Sequence, residues 1–247
     1  RGLGDVYKRQ SLHMAHMGCS SLPEALVKQS LRCGMADGWG GSMMGTEFSD
    51  VLFGTPKPID TEANLGVMNA ENVNIVVHGH DPSLSEMVCE YADDPEMIAY
   101  AKSMGAKGIT VSGVCCTSNE VAMRRGIPMA GNFLQQENVV LTGACEAIVV
   151  DVQCIFPALG PLSKCFHTKF VTTSPIAQMP DSEFIRFNAE TAGENAKAIV
   201  KMAIDNFKNR KPELVHIPQL KQKATVGYSV EAIVKVLDGV TNCLLYT

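Results

Sequence analysis

Three places along this chain set metal-competent side chains just past a short apolar run. The stretch NIVVHGHDPSLSEM, residues 74–87, carries His78 and His80; GVCCTSNE, residues 113–120, carries Cys115 and Cys116; DVQC, residues 151–154, ends on Cys154. Imidazole combined with thiolate suits zinc, an iron-sulfur cluster or nickel. A closed zinc site needs a fourth ligand, and neither a CxxC pair nor an HxxxH helix supplies one here. Incomplete ligation of this kind fits a cluster whose remaining ligands lie elsewhere.

The elements that must position these groups can be read from periodicity. NVNIVVHG (72–79), GITVSGV (108–114), AIVVDV (147–152) and KFVTTS (169–174) are short continuous apolar runs and predict strands. Between them SLSEMVCEYA, EMIAYAKSMGA, SNEVAMRRG, residues 134–142 and residues 189–209 carry helical patterns. Strands buried on both faces and alternating with helices predict an α/β fold, a doubly wound, Rossmann-like parallel sheet. Right-handed crossovers put every strand's carboxyl end on one rim, where ligands of such sheets sit. His80, Cys116 and Cys154 are thus expected together, each at the end of a strand. Asp81 or Ser83 with Pro82 and Glu86, and Thr117 or Ser118 with Glu120, are expected to start helices behind the first two sites. The positive end of a helix favours thiolate, the ligand form of cysteine.

Upstream, Leu22, Ala25, Leu26, Leu31 and Met35 follow helical spacing after Ser20, Ser21 and Pro23, with Gly38, Gly40 and Gly41 expected to end the run. FGTPKPIDTEANLG, residues 53–66, reads as a connector. The opening RGLGDVYKRQ and closing NCLLYT share no periodicity with their neighbours and resemble translated sequencing-adapter sequence, so residues 1–10 and 242–247, Cys243 included, are set aside from the fold. The expected organisation is the end of a helical domain at 11–56, a Rossmann-like cluster-binding domain at 57–219 and the start of a second, truncated one at 220–241.

Composition excludes several classes. With 247 residues, 46% of them hydrophobic, the chain can bury a sizeable core. A formal charge of -5 with dispersed Lys and Arg argues against nucleic acid, and no apolar run approaches membrane-spanning length. Nine cysteines without an export signal are expected to be reduced, which predicts a cytoplasmic protein. Cys33, Cys89, Cys145 and Cys165 read as small core residues, and Cys19 has no partner at ligand spacing.

The segments ADGWGGSMM, DVLFGTPKP, TEANLGVM, NIVVHGHDPSLSEM, GVCCTSNEVAMRRGIP, DVQC and PQLKQKATVGYSVEAI closely resemble the catalytic subunit of the anaerobic nickel-iron carbon monoxide dehydrogenase family, over residues 11–240. The hybrid cluster protein is a more distant likeness, and the Cys-Cys pair favours the former. The resemblance implies an active-site cluster of nickel, iron and sulfide, with the residues matching His80 and Cys116 on an iron outside the cage and the one matching Cys154 on the cage. It implies that Cys115 packs nearby, that His78 supports its neighbour, and that Asp37 stands beside the active site to orient water or pass protons. The implied reaction takes carbon monoxide and water to carbon dioxide, two protons and two electrons. A homodimer, a ferredoxin-like acceptor, further 4Fe-4S clusters and, in some members, an acetyl-CoA synthase partner come with it. The remaining ligands would lie outside this chain, which alone is expected to be inactive. Against this stand a hybrid-cluster-like reductase and a metal-free binding domain.

Overall fold

The computed structural model describes residues 2–20 and 22–237; Ser21, the end of the expected 220–241 segment and the set-aside 242–247 with Cys243 lie outside the described residues. Two compact units divide at Thr55.

The first unit is helical: α1 (Gly2–His16), α2 (Pro23–Asp37) and α3 (Met44–Phe53). Pro23 starts α2, where a missing N–H costs nothing. The glycines at 38, 40 and 41 do not end the run as expected. They form a π-helical segment, Gly38–Met43, leading straight into α3, with Gly38 itself in right-handed helical conformation. Glycine is a costly helix residue by about 1 kcal/mol, not a forbidden one. α1 takes in residues 2–10, which periodicity had left without an element.

The second unit is α/β. Its strands are β1 (Ile59–Ala63), β2 (Val73–His78), β3 (Ile109–Val114), β4 (Met129–Gly131), β5 (Cys145–Val150), β6 (Lys169–Thr172), β7 (Glu183–Phe184) and β8 (Gln222–Val226). Its helices are α4 (Pro82–Ala92), α5 (Pro95–Ser103), α6 (Cys115–Arg125), α7 (Gln136–Leu141), α8 (Leu159–Cys165), α9 (Ala192–Asn206) and α10 (Val230–Leu237). All eight strands join one sheet in the order β7-β6-β5-β2-β3-β4-β1-β8, parallel except for the antiparallel pair of β1 with β8.

Why the central strands read as unbroken apolar runs is clear from burial: every residue of β2 and of β5 is buried. Alternate residues serve opposite faces. Val73, Ile75 and Val77 pack with Leu84 and Val88 of α4, Val121 of α6 and Ile199, Val200 and Ile204 of α9. Val76, Ile148 and Val150 pack with Val139 and Val140 of α7 and Leu159 of α8. Each fully buried side chain of this kind contributes about 1.5–3 kcal/mol, so the two-sided core anchors the sheet. Winding runs β2, β3, β4 to one side of β2 and β5, β6, β7 to the other, which makes the gap between β2 and β5 the point where strand order reverses. Among the described residues no helix is long and apolar enough to cross a membrane.

Candidate metal centre

β2 lies between β3 and β5, so the chain leaving β2 is flanked by the ends of both neighbours. One ligand atom each from His80, Cys115 and Cys154 lies within 4.8 Å of the others, His80 and Cys115 half-buried and Cys154 exposed. Cys116 is outside that trio and exposed, its Sγ 3.9 Å from that of Cys115. The rim therefore brings together His80, Cys154 and the cysteine pair, with Cys115 rather than Cys116 turned toward the other two.

The His80 loop is built on Asp151, at the end of β5. This buried carboxylate accepts N–H bonds from His80 (2.5 Å), Asp81 (2.8 Å) and Val152. Gly79 makes the approach possible: its φ is +131°, and a Cβ there would overlap the Asp151 carboxylate. Burial pushes the Asp151 carboxyl up, against the pull of the three donors. His80 Nδ1 faces the Val152 carbonyl at 3.1 Å. A carbonyl only accepts, so Nδ1 carries the proton and Nε2 keeps its lone pair for a ligand.

α4 begins as expected, with Asp81 as the cap accepting from Ser83 N at 2.9 Å and Pro82 in the first turn. α6 does not. It starts at Cys115, two residues before the expected caps, with Val114 at the cap position and no side-chain cap bond. Thr117 is spent on lacing the loops together: its N–H donates to the Gly79 carbonyl at 2.8 Å and its hydroxyl to Asp81 O at 3.1 Å. Ser118 is buried with no partner for its hydroxyl. Both cysteines consequently occupy the first turn of α6, among N–H groups with no intrahelical acceptor.

Cys115 (φ +69°), Gln153 (φ +63°) and Cys154 (φ +55°) all hold left-handed backbone, a region that side chains with a Cβ avoid. Such conformations persist where surrounding contacts over-determine them. Burial, aided by the charge of Cys116, raises the Cys115 thiol to about 12.

His78 is buried and is not one of the trio. Its Nε2 meets Gln136 Oε1 at 3.0 Å, and Nδ1 lies 3.4 Å from the Val114 carbonyl. Gln136, fully buried at the start of α7, donates to Phe133 O (2.5 Å) and Cys154 O (2.9 Å) and accepts from Phe156 N (2.8 Å). Because Phe156 N–H can only donate, the amide atom facing it is oxygen, and His78 Nε2 must be the protonated nitrogen. Burial lowers the His78 pKa and keeps the ring neutral.

Sequence reasoning missed Asp151 and Gln136. DVQC offered Asp151 as a strand residue, and nothing in local pattern distinguishes it; Gln136 sits in an ordinary polar helix start. Asp37 closes α2 in the helical unit, exposed and 2.8 Å from Lys8. Cys89 and Cys145 are buried in the two cores, their thiols pushed up by burial, Cys89 to about 12. Cys19 Sγ lies 3.5 Å from His13 Nδ1.

Comparison with known proteins gives one consistent picture. Residues 5–239 match the model of the Prismane/CO dehydrogenase family. A carbon monoxide dehydrogenase of Methanosarcina mazei is 51% identical over 230 residues, 93% of this chain and 37% of the relative. A nickel-free carbon monoxide dehydrogenase structure from Thermococcus sp. AM4 superposes with a TM-score of 0.94 at 51% identity, covering 98% of this chain and 38% of that one. An acetyl-CoA synthase/carbon monoxide dehydrogenase structure, described as holding NiZn[Fe4S4] and NiNi[Fe4S4] clusters in its alpha subunits, gives 0.90 at 43% identity, covering 96% and 36%. The chain thus spans a little over a third of the proteins it matches.

Proposed function

The chain belongs to the Prismane/CO dehydrogenase family, and from that premise we propose that the whole protein is an anaerobic carbon monoxide dehydrogenase, converting carbon monoxide and water to carbon dioxide, two protons and two electrons. The observation that carries this is the meeting of imidazole and thiol ligand atoms within 4.8 Å at the strand-order switch. This donor set fits a nickel-iron-sulfur cluster.

His80, Cys116 and Cys154 are the proposed ligands, His80 and Cys116 for an iron outside the cage and Cys154 for the cage. Cys115, whose sulfur lies nearest the other two groups, packs beside them. When bound, the cluster would supply an open site for carbon monoxide, Lewis-acid activation of water and storage of two electrons. The chain's own part is positional. Asp151 fixes the His80 loop, the Val152 carbonyl engages Nδ1 and leaves the Nε2 lone pair for a ligand, and Cys154 is held in left-handed backbone with its sulfur near the same group of ligand atoms. Asp37 is the proposed carboxylate for orienting water or receiving protons.

For the whole protein we propose a cytoplasmic homodimer with further 4Fe-4S clusters, a ferredoxin-like acceptor and, in some settings, an acetyl-CoA synthase partner. Residues 11–56 would close a helical domain, 57–219 form the cluster-binding domain and 220–241 lead into the next; this chain alone would be inactive.

The test is anaerobic production of the whole protein with nickel, iron and sulfide, followed by metal analysis and carbon monoxide-dependent reduction of a viologen dye. Wild type should hold nickel and iron and reduce the dye, and Cys154→Ala should lose both properties. A metal-free wild type, or full activity in Cys154→Ala, overturns the reading.

A further inference from the structure

Gln136 has an unusual set of partners for a buried glutamine. All four of its hydrogen-bonding positions are used: two N–H groups on the carbonyls of Phe133 and Cys154, and two oxygen lone pairs on Phe156 N–H and His78 Nε2–H. Two of those partners, Cys154 O and Phe156 N, bracket the turn that presents the Cys154 sulfur. That turn needs holding, since Gln153 and Cys154 both lie in left-handed backbone. His78 is itself inside β2, two residues before His80. Gln136 therefore links the end of β2 to the Cys154 turn that follows β5.

We propose that Gln136 is a positioning residue: it sets the Cys154 turn in ligand-ready form before any metal arrives, with His78 as its anchor in the sheet. The inference rests on the cluster reading given above and adds to it a residue that touches no metal. No other uncharged side chain of this size offers two donors and two acceptors at one point. Glutamate in the same place has no N–H and would set an oxygen against the carbonyls of Phe133 and Cys154.

The experiment compares Gln136→Glu with Asn206→Ala in the whole protein, reconstituted anaerobically with Ni2+, Fe2+ and sulfide. Asn206 is a matched control, a buried amide whose Nδ2 joins the carbonyls of Glu146 (2.8 Å) and His167 (2.6 Å), away from the ligand rim. Readouts are nickel and iron content, the paramagnetic resonance signal of the reduced cluster, and the urea midpoint. Gln136→Glu should bind metal about 10- to 100-fold more weakly, as loss of an outer-shell partner commonly does, with an altered cluster signal. Asn206→Ala should lose stability and keep wild-type metal content and signal. Wild-type metal content and signal in a folded Gln136→Glu protein overturn the proposal. If that variant does not fold, hydrogen exchange of the metal-free wild type decides. Protection of the Phe156 amide supports a turn set in advance, and exchange at the unprotected rate overturns it. A wild type that takes up no nickel or iron under these conditions overturns the cluster reading itself, and with it the role of the turn.

Discussion

Asp151 and His80 lie just past the ends of the neighbouring strands β5 and β2 and are joined by one bond, the His80 N–H to the Asp151 carboxylate at 2.5 Å. Two further N–H groups converge on the same carboxylate, so Asp151→Ala leaves three donors to find water or go without. Unsatisfied buried donors cost about 1–3 kcal/mol each, partly relieved here because the loop reaches the surface. The expected loss is about 2–4 kcal/mol in urea unfolding of the whole protein, with nickel and iron content reduced as well. Unchanged metal content would show that the His80 loop keeps its shape without the carboxylate.

Gly79 and Asp151 are coupled through space. Gly79→Ala faces two penalties, a left-handed φ and overlap with the Asp151 carboxylate. Strained backbone of this kind costs about 1–3 kcal/mol. In an Asp151→Ala background only the first penalty remains. A double-mutant cycle on unfolding free energy should therefore show coupling of about 1 kcal/mol or more, within the range for residues in contact. Strict additivity would mean that the carboxylate does not occupy the space beside Gly79.

The cysteine pair can be resolved by single substitutions. Resemblance points to Cys116 and distance to Cys115, and desolvation separates them: Cys115 packs against the second core cluster with its thiol raised to about 12, whereas Cys116 keeps an exposed sulfur in the first turn of α6. A ligand sulfur must lose its proton. Cys116→Ala is expected to lower iron and nickel content at least tenfold, and Cys115→Ala to act mainly on stability, by about 1 kcal/mol. The opposite ranking in metal analysis would transfer the ligand role to Cys115.

How much of this was legible in sequence depends on what each residue does. β2, β3, β5 and β6 declared themselves because burial on both faces forces apolar runs. β4 and β7 span three and two residues, too short for any period to develop. β1 hid inside the Gly- and Pro-containing connector, and β8, QKATV, is largely exposed and pairs only at the sheet edge. His80 and Cys154 could be placed because strand ends in a parallel sheet share a rim. Asp151 and Gln136 could not, because their importance lies in backbone groups they meet across the fold, 71 residues away for the pair of Asp151 with His80.

His78 gives the metal-free protein a pH dependence of definite sign. Burial lowers its folded pKa below the ordinary 6.5, so below that value the unfolded chain binds a proton that the folded chain refuses. Its neutral ring favours folding fully above about pH 6.5, and the protein loses stability as pH falls from there toward the lowered folded value. The slope from one group is at most about 1.4 kcal/mol per pH unit. Urea midpoints from pH 7.5 to 5 should fall less steeply in His78→Gln than in wild type. Parallel curves would mean that His78 is protonated in the folded state.

At the opposite ends of the same strands a second polar network should govern stability without touching the metal. Glu146, fully buried in β5, receives Arg210 Nε at 2.8 Å and Nη2 at 2.7 Å, pairs with His167 Nε2 at 2.8 Å and accepts Asn74 N at 2.6 Å. Arg210 also caps the carbonyls of Ala70, Asn72 and Ala144. Removing one partner of a buried pair strands the other charge, at a cost of about 3–5 kcal/mol, while replacing both by apolar groups is often close to neutral. Arg210→Met should therefore destabilise strongly, and Glu146→Leu with Arg210→Met should recover part of the loss. The recovery cannot be complete, because Asn74 N–H and three carbonyls lose partners in the double variant. The ligand rim is formed by residues past the carboxyl ends of β2, β3 and β5, whereas Glu146 and Asn74 sit near the amino ends of β5 and β2. Metal content of whichever variants fold should accordingly match wild type. A fall in metal content parallel to the fall in stability would show that the two ends of the sheet are not independent, and that positioning of the centre is a property of the whole core.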